Sequence, residues 1–147
     1  MAVLFASDVA KAQSAVPFKA TIAISELIQP DPSGSCFLVG DISGMGRAMH
    51  LGDLTLVSTD CINPISETAF SFASNQVVLT VSNGDQIFAI YGGTLTTKGR
   101  VGVISGGYQI VGGTGLFTAA TGAGAVEGVE QLSTGKGQVQ LNGTISY

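Results

Sequence analysis

Apolar residues in this chain recur mostly at spacing two, and turn-forming residues interrupt them roughly every ten positions. From Phe18 to Ile28 the bulkiest apolar side chains fall mainly on even positions, with Lys19, Thr21 and Ser25 between them. Spacing two sends alternate side chains to opposite faces of a strand, whereas a helix repeats a face about every 3.6 residues. No long segment shows the helical period, so the chain reads as all-β. Strands are expected at 17–28, 35–43, 50–60, 66–73, 76–82, 85–95, 101–111, 121–130 and 137–146. Asn83-Gly84 marks the clearest hairpin and predicts a two-residue type I′ turn, whose central positions both need positive φ.

Eight or nine antiparallel strands in one domain leave a sandwich or a closed barrel. With no tryptophan, the chain lacks the Cys…Trp…Cys core of an immunoglobulin sandwich. Glycines inside strand-like sequence (Gly40, Gly92, Gly93, Gly102, Gly124 and Gly128) suit the bends and close backbone approaches that closure demands. A single antiparallel barrel over residues 16–147 is therefore expected. Residues 1–15 form an N-terminal arm or the trailing end of an export signal, since Ala10-Lys11-Ala12 has the small-x-small form of a cleavage site.

Six basic against ten acidic residues give a net charge of −4, and no basic stripe is present, which argues against a nucleic-acid partner. No segment approaches the roughly 20 apolar residues of a membrane-spanning helix. The two cysteines, Cys36 and Cys61, are too few for a four-cysteine zinc site, and no metal or cofactor is expected. A hairpin turning at Ala48 and Met49 would set Cys36 directly opposite Cys61, which favours a disulfide and a secreted or periplasmic setting. Two buried free thiols remain the other reading.

The segment Tyr108 to Gly128 carries six glycines beside a few large apolar residues, Ile110, Val111 and Phe117. "GGTGLF" lacks the spacing of a dinucleotide fingerprint and is followed by no useful helix, and "STGKG" lacks the spacing of a P-loop. Both are structural signals. The run from Ile110 to Gly122 predicts a strand that ends in a tight turn at Gly112 to Gly115, buries Phe117 and re-enters the sheet at Gly122. Gly113 or Gly115 is expected at positive φ.

That arrangement resembles the allene oxide cyclase and dirigent barrel superfamily, whose members carry a "GGTG.F..A.G" segment and a final strand like "QLNGTISY". The matching positions here are Gly112, Gly113, Thr114, Gly115, Phe117, Ala120 and Gly122, with a looser likeness of "GDISGMGRAMHLGDLT" to a loop of bacterial relatives. The resemblance implies an eight-stranded calycin-like barrel, often a homodimer or homotrimer, whose apolar lumen steers a reactive small hydrophobic molecule without a cofactor. It also implies a carboxylate or amide on the first strand, and alternation places Ile22, Ile24, Glu26 and Ile28 on one face. Glu26 is thus the candidate interior acid or base of a cyclase or isomerase. His50, the only histidine, is a second candidate through pairing with Asp41 or Asp53. The rival reading is a non-catalytic domain whose barrel is filled by its own side chains.

Overall fold

The computed structural model describes residues 14–147, so the expected arm or signal remnant at 1–15 lies almost wholly outside the described residues. The alternation becomes eight strands: β1 (Val16–Pro30), β2 (Leu38–Ala48), β3 (Gly52–Ser66), β4 (Ala69–Val81), β5 (Gln86–Lys98), β6 (Val101–Gly113), β7 (Thr121–Gln131) and β8 (Lys136–Ser146). Each pairs antiparallel with its neighbour in sequence, and β8 returns to β1, which closes the barrel. Closure leaves no strand edge exposed. Inward positions are even on β1, where Phe18, Ala20, Ile22 and Ile24 are buried, and odd on β8, where Val139, Leu141 and Ile145 are buried.

The expected strands 66–73 and 76–82 are one strand, β4. Its ladders shift register between Ser74 and Val77 toward β5, and between Ser58 and Cys61 toward β3. The bulge changes the parity of the inward row from Phe72 and Ser74 to Val77 and Leu79, all buried. A single alternating template breaks at that point, which is why the sequence suggested two strands.

Two turn expectations need correction. At Ser82-Asn83-Gly84 the Gly84 N–H bonds the Val81 carbonyl at 2.9 Å and the Val81 N–H bonds the Asp85 carbonyl at 3.0 Å. Only Gly84 has positive φ there (94°), so the loop has three residues and ends in a left-handed glycine, rather than being a two-residue type I′ turn. Between β2 and β3 the register pairs Ala48 with Gly52 and Val39 with Cys61. Cys36 therefore does not face Cys61 across a ladder; it sits in the loop before β2. The disulfide nevertheless forms, with 5.5 Å between the Cα atoms, and pins that loop to β3.

One end of the barrel is plugged. A 3₁₀ turn at Gly115–Phe117 drives Phe117 beneath it to 0% exposure, 5.0 Å centroid to centroid from Tyr147. Thr114 ties this lid to the β4–β5 turn: its N–H donates to the Gln86 carbonyl and its Oγ1 accepts from the Gln86 N–H, both at 2.9 Å. Gly115 takes φ +55°, as one of the two expected positions, and a Cβ there would fall 2.1 Å from Asp85 Oδ1. Midway along the wall, Gly93 and Gly106 let β5 and β6 approach so closely that a Cβ on Gly93 would meet the Ser105 carbonyl at 2.2 Å.

Candidate functional site

Phe18, Leu79, Ile87, Ile110, Phe117 and Ile145 fill the lidded end and are fully buried. None of them borders the cavity of about 230 Å³ that occupies the other half of the lumen. Its wall is mostly aliphatic and aromatic, with Ile24, Leu56, Phe70, Phe72, Ile104 and Leu141 among its lining. Three carboxylates interrupt that wall: Glu26 from β1, Asp60 from β3 and Glu130 from β7. No Lys, Arg or His lines it.

Each carboxylate has its own surroundings. Desolvation by burial pushes Glu26 up to about 8, helped by the charges of Glu130 and Asp60. Glu130 is only 1% exposed, and its Oε1 has no hydrogen-bond partner. Burial and the Asp60 charge raise it to about 7. Burial also raises Asp60, but only to about 6, because hydrogen bonds from Tyr91 and Ser58 hold it down. Tyr91 donates from its hydroxyl to Asp60 Oδ1 at 2.5 Å and shares a second 2.5 Å contact with Ser58 Oγ. Burial and the neighbouring Asp60 charge keep the Tyr91 phenol protonated.

The arrangement therefore grades proton affinity across one apolar chamber. Near neutral pH, Glu26 keeps its proton while Asp60 has released its own, so an acid and a base face the same space. Asp60 and Tyr91 also border a shallow depression on the outer wall, beside Asn75 and Gln76 of the β4 bulge. Among the described residues, no three His, Cys, Asp or Glu side chains are grouped to hold a metal ion.

Glu26 lies in the cavity wall as the even row of β1 suggested. His50 does not join it. It occupies the exposed β2–β3 turn at the opposite end of the barrel, at φ 68°, a left-handed position that His tolerates better than most residues. Its expected partner Asp53 pairs instead with Arg47 at 3.0 Å. Asp60, Tyr91 and Glu130 were not singled out by the sequence. The signal was there, since Leu54, Leu56, Ser58 and Asp60 form an even row on β3, and Gly124, Val126, Gly128 and Glu130 form one on β7.

No family model matches the chain, and no curated protein matches it. A solved structure does: that of a pterocarpan synthase dirigent protein, at a TM-score of 0.62 and 14% sequence identity, covering 92% of this chain and 90% of that one. The chain has the dirigent-type closed barrel fold. At that identity the likeness concerns the path of the backbone, and the chamber has to be read from this chain's own residues.

Proposed function

We propose that the open half of the barrel binds a small hydrophobic molecule, and that Glu26 exchanges a proton with it in a cofactor-free cyclisation or isomerisation. The observation that carries this reading is a carboxyl raised to about 8 in the wall of an apolar cavity. Glu26 then donates as the neutral acid near neutral pH, and Asp60, more acidic, accepts. A protein of the same fold is a pterocarpan synthase, which supports guided small-molecule chemistry in such a lumen. His50 has no part in this chemistry. The rival reading of a lumen filled by side chains fits the lidded half and not the half that holds the cavity. Secretion or a periplasmic setting is supported by the Cys36–Cys61 bridge.

Native mass spectrometry on protein taken gently from its source tests the binding, and it reports a homodimer or homotrimer in the same spectrum. A retained small molecule, lost on denaturation, is the expected result. Once that molecule is identified, Glu26→Gln should leave its binding nearly intact and cut turnover by about 10²-fold or more. A Glu26→Gln variant as active as the parent would remove the catalytic half of the proposal.

A further inference from the structure

The inference below rests on the reading that the open half of the lumen takes a small molecule, and it concerns the chemistry of that molecule. The chamber contains three carboxylates and no cation. It also contains an acceptor with nothing to accept, because Glu130 Oε1 is buried and unpartnered. An orphaned acceptor of this kind is costly unless a donor reaches it. No other donor in the wall is bonded to it: Tyr91 and Ser58 are engaged with each other and with Asp60, Thr97 Oγ1 donates to the Thr68 carbonyl, the Glu26 carboxyl makes no hydrogen bond with it, and Ile104, Val126 and Val139 are aliphatic.

From this we infer that the lumen selects a protonated amine on a compact apolar body, its ammonium N–H groups directed at Glu130 Oε1. Glu26 is left as the neutral acid beside it. A hydroxyl would satisfy one lone pair and bring no charge to offset Asp60 and an ionised Glu130. An ammonium brings up to three donors and the missing positive charge. A carboxylate ligand would add a negative group to a desolvated chamber that already holds the Asp60 carboxylate, and is excluded. A quaternary ammonium has the charge but no N–H for Oε1. The faces of Phe70, Phe72 and Tyr91 suit the apolar body and attract a cation as well.

Affinity for the amine depends on pH. The polar groups that line it are Glu26 on β1, Asp60 on β3, Tyr91 and Thr97 on β5 and Glu130 on β7, with Ser58 and Ser74 buried behind the wall; β2, β6 and β8 present only apolar side chains to the cavity. Lys98, Arg100 and Lys136 are exposed residues in or beside the turns at this end and do not line the chamber. Because Glu130 holds its proton until about 7, an entering ammonium must displace that proton. Binding therefore strengthens as pH rises through that value and releases a proton to the buffer.

Isothermal titration with 2-phenylethylamine, 2-phenylethanol, 3-phenylpropionate and the N,N,N-trimethyl derivative of the amine tests this directly. The amine should bind about tenfold or more tightly than the alcohol, since hydrogen bonds to charged groups are the stronger kind. The trimethyl derivative should fall below the amine, and the propionate should not bind. Glu130→Gln should lose about tenfold in amine affinity while leaving the alcohol within about threefold. Equal or tighter binding of the alcohol, or an amine affinity unmoved by Glu130→Gln, overturns the amine assignment and leaves small-molecule binding intact. If the alcohol and the amine both fail to bind, the lumen reading falls with it.

Discussion

The two halves of this barrel are built from the same strands and the same alternation, yet one is filled and the other is hollow. In the lidded half the inward positions carry Phe18, Leu79, Ile87, Ile110 and Ile145, and the 3₁₀ turn adds Phe117 from outside the sheet. In the open half the corresponding rows carry Glu26, Asp60 and Glu130, and the β7–β8 turn contributes Leu132 to the cavity wall. Of the eight largest fully buried side chains, seven are apolar and the eighth is Glu130. Burial in the first half lowers the free energy of folding; in the second it raises three pKa values and leaves an acceptor unpaired. The filled half thus makes affordable a chamber whose groups are individually unfavourable, the pattern expected where function opposes stability.

The sharpest way to break that division is to remove the plug. Phe117→Ala should cost about 3 to 5 kcal/mol, through lost burial and the cavity left behind, read as a large drop in melting temperature. Variants that melt like the parent would mean that the lidded half is not the stabilising one. At the open end the corresponding fastener is the disulfide, because Cys36 and Cys61 stand 25 residues apart and tie the loop before β2 to β3. Replacing both by Ser should cost about 3 kcal/mol on the chain-entropy account. Thiol titration of denatured, unreduced protein should find none, and two reactive thiols per chain would contradict the bridge.

The third effect follows from the carboxyls. Glu26, Asp60 and Glu130 all bind their protons more tightly in the folded chain than in the unfolded one. Their contribution is fully present below about pH 4 and is lost as pH rises through about 6, 7 and 8, so stability declines toward alkaline pH. Denaturant unfolding should show stability falling steadily between pH 5 and pH 8, and Glu130→Gln should flatten the slope. A stability that rises over this interval would mean that water fills the chamber freely.

How legible each half was in the sequence follows from the same physics. The lid was legible because "GGTGLF" combines a backbone need, the left-handed Gly115, with a burial need, Phe117. The barrel was legible from alternation, and Glu26 from its place in an apolar row. Asp60 and Glu130 escaped because an acid after Ser58 and Thr59, or beside Glu127 and Gln131, looks like a solvated strand end unless the parity is followed to the last residue. The β4 bulge was misread for the opposite reason, since it changes parity within a strand. The disulfide was reached by a register that proved wrong: a loop with four residues between Asp31 and Cys36, closed by the Cys36 N–H on Asp31 Oδ2 at 2.8 Å, carries the thiol to β3 in place of a ladder pair. Such loop geometry has no sequence period.

The smallest predicted effect compares two tyrosines, one in each half. Tyr91 in the open half donates to Asp60 and contacts Ser58, so Tyr91→Phe removes a hydrogen bond that holds the Asp60 carboxyl down. The expected cost is about 1 kcal/mol at neutral pH, where Asp60 is ionised, and less below its pKa, where the bond is between neutral groups. Asp60 should then titrate above about 6, visible in its side-chain carboxyl carbon by NMR. Tyr108, whose ring meets Phe18 edge-on at 5.9 Å, has a buried hydroxyl with no partner, and burial pushes it up to about 12. Tyr108→Phe removes a polar group that gains nothing from its surroundings, and should be neutral or slightly stabilising. If Tyr108→Phe cost as much as Tyr91→Phe, hydroxyls in the two halves would be equally well satisfied. The contrast between a half held by packing and a half organised around polar groups would then fail at its finest grain.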